Sequence, residues 1–241
     1  MRVGELGLPH GDLSAAFDAG ASAYDRLVGA NPGYHAHLLL SARRMRLPNR
    51  GKGLRILDAG CGTGASTAAL LAVAPEAEIV AVDASRGMLD AARAKGFPAS
   101  VRFVHTPIER LAEQGITAPF DGILAAYLIR NVAEPDEQLR RFRALLRPGG
   151  TLAVHEYSVR DSRPATAIWH AVCWSIIIPA GWLRTRDTAL YRYLWRSVLA
   201  FDGAARFRRR LADAGFAAVH SETVPGWEAN IVHTFLADAP S

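Results

Sequence analysis

Lysine is nearly absent from this 241-residue chain: Lys52 and Lys95 are the only two, so a formal charge of +5 rests almost wholly on arginine. No compact Lys/Arg run interleaves with aromatic residues, which argues against a nucleic-acid surface. Cysteine is as scarce. Cys61 and Cys173 cannot build a disulfide framework, so a reduced cytosolic protein is expected. The first twelve residues, MRVGELGLPHGD, lack the apolar stretch of a secretory signal. No His/Cys/Asp group has metal-ligand spacing, so no metal is expected. Internal repeats and low-complexity segments are missing too. The longest apolar run, residues 168–178, contains His170 and is met by Pro179. That cuts it short of the roughly 20 residues a membrane-spanning helix needs. It is expected to pack in the core, to line an apolar pocket, or to dip into a bilayer surface through Trp169, Trp174 and Trp182.

What is present is apolar: half of the residues, enough for one α/β domain with a substantial core. The chain is organised around residues 53–64, GLRILDAGCGTG. Leu54, Ile56 and Leu57 form an apolar run without polar alternation, as in a strand buried on both faces. Asp58 ends it, Gly60, Gly62 and Gly64 make a tight turn, and Ala and Leu resume in a helix over residues 65–74. Glycines let a ligand approach the backbone, and the first N–H groups of the helix point at it. Asp83 stands nineteen residues after Gly64 at the tip of a second apolar run, placed to accept hydrogen bonds from both ribose hydroxyls of a nucleoside. A dinucleotide site has G-x-G-x-x-G instead. A carboxylate before the first glycine suits a cationic amino group and repels a diphosphate.

The remaining segments keep the strand–helix alternation of a parallel sheet with right-handed crossovers. Helical spacing marks residues 13–28 and 34–45. Ser85 is placed to cap a helix that runs to Lys95. Further strands are expected at residues 101–104, 120–126 and 151–155, with a helix at 136–146. Ala126 and Tyr127 end a strand beside the topological switch and should face cofactor or substrate. Residues 160–201 are too long for a simple crossover. Between Arg184 and Gly215, eight arginines stand against three aspartates, either a solvated face or an attraction to anionic lipid.

Asp58-Ala-Gly60-Cys61-Gly62-Thr63-Gly64 closely resembles the cofactor loop of class I S-adenosylmethionine (SAM)-dependent methyltransferases. A narrower resemblance rests on Leu128-Ile-Arg130-Asn131-Val132, His155-Glu156-Tyr157-Ser158, Tyr191-Arg-Tyr193-Leu194-Trp-Arg-Ser197 and Ala214-Gly215-Phe216. In that order they are similar to the ubiquinone/menaquinone biosynthesis C-methyltransferase family, from about Phe17 to the end. The resemblance implies a Rossmann-like α/β fold with a seven-stranded sheet in the order 3-2-1-4-5-7-6, strand 7 antiparallel. It implies one domain: a helical cover (1–50), a cofactor-binding core (53–158), a helical substrate insert after strand 5 (160–201), and a C-terminal helix with two strands (202–241). Strands 6 and 7 are expected at residues 216–223 and 231–237.

SAM would be held by the loop residues Asp58, Gly60, Cys61, Gly62 and Thr63, and by Asp83 with Ala84. Met88 either packs on the adenine or belongs to the core. Phe17 and Tyr24 look like the "F…YD" segment that covers the cofactor. Pro107 stands where the family usually carries the Asp or Asn that bonds the adenine, so main chain at Pro107 and Ile108 must serve or the contact is lost. His155 stands where leucine is common.

Methyl transfer from a sulfonium needs alignment and exclusion of water. A quinol acceptor also needs a phenolic proton removed. Candidate bases or orienting groups are His155, Glu156, His170 and His233; Tyr127, Arg130 and Tyr193 are candidates for holding acceptor oxygens. Arg130 otherwise ties its loop to a carboxylate, and Asn131 otherwise caps a turn. The implied acceptor is a hydrophobic quinol, reached in the cytosol or at the inner face of a membrane, with no nucleic acid involved. Two alternatives stand beside it: a soluble aromatic or polyketide acceptor, and a non-catalytic protein that only binds the nucleoside. Asp83→Ala is expected to abolish SAM binding in calorimetry, and unchanged affinity would remove the ribose role.

Overall fold

The computed structural model describes residues 33–186 and 188–240; Phe17, Tyr24 and the helix expected at 13–28 lie outside them. Seven strands form one sheet: β1 (Arg55–Ala59), β2 (Glu78–Asp83), β3 (Val101–His105), β4 (Phe120–Ala126), β5 (Leu146–Tyr157), β6 (Ala217–Thr223) and β7 (Val232–Asp238). Their order is β3-β2-β1-β4-β5-β7-β6. The first five are mutually parallel, and β7 runs antiparallel to both β5 and β6. This is the expected topology, with its switch point between β1 and β4.

Alternation along the central strands sorts the core into two clusters, one on each face. Leu57, Val80, Val82, Ile123 and Val154 pack with Phe142, Phe207 and Phe235 on one side. Ile56, Ile79, Ala81, Leu124 and Ala153 pack with Leu38, Ala42 and Leu70 on the other. Helices on both faces explain why β1 and β2 read as continuous apolar runs. The helices are α1 (Tyr34–Arg44), α2 (Ala65–Val73), α3 (Arg86–Arg93) and α4 (Pro135–Leu145). Ser85 caps α3 as expected, its Oγ accepting from the Met88 N–H at 3.1 Å.

The insert departs from its sequence reading. A helix begins at α5 (Arg163–Val172), widens into a π turn at Cys173–Ile177 and continues as α6 (Ile178–Thr185). Pro179 therefore does not end the helix. A proline removes one N–H and crowds the carbonyl four residues back; the preceding π turn, in which the Ile178 N–H reaches the Cys173 carbonyl, opens the ladder where that crowding falls. By length and composition alone the stretch Arg163–Leu183 is long and apolar enough to cross a membrane. Then follow α7 (Ala189–Ala200) and α8 (Ala204–Asp213). The insert rests on a third cluster, where Trp169, Cys173 and Ile178 meet Tyr191, Val198, Ile231 and Val232.

Candidate active site

A cavity of about 620 Å³ opens at the carboxyl ends of β1, β2 and β4, beside the switch point where ligands bind in open α/β sheets. Its floor is the glycine bend. Gly60 and Cys61 both donate to the Val82 carbonyl at 2.9 Å. Gly62 has φ +54°, and a Cβ built there would meet nothing within 4 Å, so this bend leaves bare backbone toward the cavity. Gly64 has φ +88°, and its Cβ would strike the Phe97 ring at 2.9 Å, which fixes glycine at the start of α2.

Asp83 ties this bend to the tip of β2. One carboxylate oxygen accepts from the Gly62 N–H and the other from the Ser85 N–H, each at 2.8 Å. The same carboxylate lines the cavity, where it can accept from ligand hydroxyls. Gly60, Cys61, Gly62, Thr63, Asp83, Ala84, Met88, Pro107, Ile108, Ala126 and Tyr127 all line the cavity, together with Tyr34, Leu128 and Asn131. The Cys61 thiol is buried and pushed well above its ordinary pKa by that burial, which leaves it unreactive.

Asp58 lies behind the bend, not in the cavity wall. It is fully buried, and its Oδ2 accepts from Thr67 Oγ1 at 2.6 Å and Ser66 Oγ at 2.9 Å. Its Oδ1 has no hydrogen-bond partner among the described residues. Burial pushes its carboxyl up to about 7; the Thr67 and Ser66 hydroxyls oppose the shift and the charge of Asp83 adds to it. An orphaned buried carboxylate oxygen next to an anion-rich bend is a site for a cation. These two carboxylates fit the amino group and ribose of SAM, Asp83 from the cavity wall and Asp58 by its charge from beneath the bend.

Of the seven candidates for acceptor chemistry, His155, Glu156, Arg130 and Tyr193 stand behind the opposite wall, around Tyr127. Tyr127 has φ +55°, uncommon for a bulky residue, and two sets of contacts hold it there. Its N–H donates to the His155 carbonyl at 2.7 Å, and its hydroxyl meets His155 Nε2 at 3.1 Å. His155 Nδ1 meets Ser41 Oγ at 2.7 Å, which meets Thr234 Oγ1 at 2.6 Å. Arg44 donates to that same Thr234 oxygen at 2.9 Å. His155 is fully buried, and burial first, then the charges of His37, Arg44 and His233, drives its pKa down to about 3. The imidazole is neutral and does not reach the cavity, so it positions the Tyr127 ring and is not a base on a ligand.

Glu156 and Arg130 are consumed by each other. Glu156 is fully buried, Arg130 nearly so, and Arg130 Nη1 lies 2.5 Å from Glu156 Oε1. Arg130 Nε also donates to Ser197 Oγ at 3.0 Å, which joins the turn after β4 to α7. Such a buried pair adds little net stability but is expensive to break from one side. Tyr193 donates to Asn131 Oδ1 at 3.0 Å, and Asn131 Nδ2 donates to the Tyr127 carbonyl at 3.1 Å. Tyr193 thus acts on the cavity through Asn131. His170 accepts from Trp195 Nε1 on the insert, and His233 stacks on Phe235; neither lines the cavity. Missed from the sequence were Ser66 and Thr67, hydroxyls in the first turn of an Ala/Leu helix, and Ser41, which carried no signal. Among the described residues no group of three or more His, Cys, Asp or Glu could hold a metal.

A family model described as the ubiE/COQ5 methyltransferase family matches residues 10–234. The chain belongs to that family. It is 32% identical over 225 residues to the ubiquinone/menaquinone biosynthesis C-methyltransferase UbiE of Syntrophotalea carbinolica, covering 90% of this chain and 91% of that one. It is also 32% identical over 225 residues to the demethylmenaquinone methyltransferase of Clavibacter sepedonicus, covering 91% and 88%. A methyltransferase solved in complex with the Haloferax volcanii Trm112 activator shares the fold at a TM-score of 0.66 and 19% identity, covering 93% and 98%. The chain is a class I SAM-dependent methyltransferase.

The folded state holds the Asp58 proton more tightly than the unfolded chain does. That contribution to stability is full below about pH 4 and is lost as pH rises through about 7. Asp58→Asn is therefore expected to unfold no earlier than wild type at about pH 8, while SAM affinity in calorimetry falls about tenfold or more; unchanged affinity would remove Asp58 from cation binding. Tyr127→Phe and His155→Leu should each lower stability by about 1 kcal/mol. The double variant should cost clearly less than the sum in urea unfolding, because the two groups share one bond. Strict additivity would break the link.

Proposed function

We propose that this methyltransferase transfers the methyl group to a ring carbon of a hydrophobic, prenylated quinol of the demethylmenaquinol type. The observation that carries this reading is a run of aromatic rings leading from the cavity wall into the insert. Tyr34 stacks on Tyr127 with centroids 5.7 Å apart, Tyr127 meets Tyr157 at 4.9 Å, and Tyr157 meets Trp169 at 4.9 Å. A flat ring lies well against such a wall, and the apolar cluster of the insert adjoins it on the side where a prenyl tail would extend. The names of the two relatives support the same acceptor class.

Bound SAM supplies an electrophilic methyl group on a sulfonium. The bend at Gly60–Gly64 and Asp83 would hold its polar ends, with the charge of Asp58 beneath the bend, and Met88 would face its base. The chain's own contribution is to align and to dehydrate. Tyr127, pinned from behind by His155 and Asn131, orients the acceptor ring, and the aromatic run excludes water from the line of attack. Asp83 and Glu109 are the carboxylates of the cavity among the described residues, and Asp83 is already bonded to the bend. Glu109 follows Pro107 and Ile108, at the end that the adenine would take, so no described side chain is assigned as the base.

The test is an anaerobic assay with methyl-labelled SAM and a panel of acceptors: demethylmenaquinol, its tail-free naphthoquinol, and soluble catechols. Label is expected on the ring of the prenylated product, with kcat/KM at least about tenfold above the tail-free analogue. Preference for the soluble phenols would assign another acceptor, and no transfer to any acceptor despite SAM binding would make the chain a binding protein.

A further inference from the structure

The most exposed apolar surface of the described chain is the outer side of the insert helix. The twenty residues from Pro164 to Leu183 include no Asp, Glu, Lys or Arg. Yet only 22% of the most apolar window of the Arg163–Leu183 helix is buried. Its inner stripe, Ala165, Trp169, Cys173 and Ile178, sits in the third core cluster. Its outer side presents Trp174 and Trp182, each about half exposed, with Ile176 at 61% and Leu183 at 67%. A helix that faces water carries charge on that side; this one carries none.

The π turn creates this surface. On an uninterrupted helix turning about 100° per residue, Ile176 would share the stripe of Ala165 and Trp169, and Ile178 would point away. The observed burial is the reverse. The extra residue at Cys173–Ile177 carries Ile178 inward and leaves Ile176 in the open. Such insertions are common at functional positions.

Charge identifies the occupant. Arg163 precedes the uncharged stretch, Arg184 and Arg186 follow it, and Arg192 and Arg196 lie on α7; against these five, residues 163–200 hold one acid, Asp187. The Arg186 guanidinium lies 4.5 Å from the Trp182 ring centroid and that of Arg192 lies 5.9 Å from the Trp174 centroid. Tryptophan and arginine around an apolar strip form the pattern of a helix lying in the headgroup region. A second copy of this chain would bring arginine against arginine, whereas anionic headgroups neutralise it. The inner stripe stays locked in the core, so the helix cannot be surrounded by lipid.

We propose that this face docks the protein on a bilayer surface containing anionic lipid, with the helix in the plane of the interface. The docking does not depend on which acceptor is methylated. The test is flotation of the full chain with vesicles of phosphatidylcholine alone and of phosphatidylcholine mixed with phosphatidylglycerol. The chain is expected to float with the mixed vesicles. The double substitution Ile176→Ser and Leu183→Ser should reduce bound protein about tenfold, with unfolding temperature and SAM affinity unchanged, since both sites are exposed. Arg186→Gln with Arg192→Gln should remove the preference for the anionic vesicles, as should salt near 1 M, where the screening length is about 3 Å. Wild type failing to float with either vesicle, or the serine variant floating as well as wild type, would overturn the proposal. So would a dimer in sedimentation that the serine variant dissolves, which would give the face to a second copy.

Discussion

Two carboxylates at the carboxyl edge of a parallel sheet determine where this molecule can bind anything. Asp83 closes the glycine bend onto the tip of β2 by accepting Gly62 and Ser85 amides. Asp58, beneath the same bend, holds the first turn of α2 through Ser66 and Thr67. Without the first, the bend would have no reason to leave Gly62 bare. Without the second, nothing would hold negative charge under it. The burial that keeps Asp58 in place also raises its pKa, so the apo fold carries an electrostatic tension that a cationic ligand relieves. Function here is stored as a local cost to the fold.

The opposite wall works by restraint. Tyr127 adopts a backbone conformation that a tyrosine resists, and a buried set of polar groups keeps it there: His155, Ser41 and Thr234 on one side, Asn131 and Tyr193 on the other. The Arg130–Glu156 pair ties the same turn to the insert. None of these groups needs to touch a ligand to matter. Satisfied buried networks of this kind specify one arrangement of a wall, and methyl transfer depends on alignment more than on proton movement.

How much of this was readable beforehand follows from range. The glycine bend, Asp83, the Ser85 cap and the apolar strands are written in residues close in sequence, and they were found where the local pattern put them. The sheet order came from a resemblance; periodicity could not supply it. What escaped were pairings between distant segments. The sequence allows Arg130 to tie its loop to a carboxylate but does not name Glu156, 26 residues away, as the partner. His155 stands in the sequence as a base or an orienting group, and its burial and its Ser41 partner, 114 residues distant, which decide for orienting, are tertiary facts. Asp58 was read as facing the ligand, but strand alternation points it under the bend. Pro179 was read as a stop, since local rules contain no π turn to absorb it.

The bond between Ser41 and Thr234 spans 193 residues and has a consequence for how the molecule comes into being. The polar set behind Tyr127 draws one member from the first described helix and another from the last strand, which must enter the sheet between β5 and β6. A chain emerging from the ribosome can form the bend of Gly60–Gly64 early, yet the facing wall waits for the final strand to leave the tunnel. The nascent chain thus carries half a cleft until β7 is made, and the facing wall closes when that strand joins the sheet.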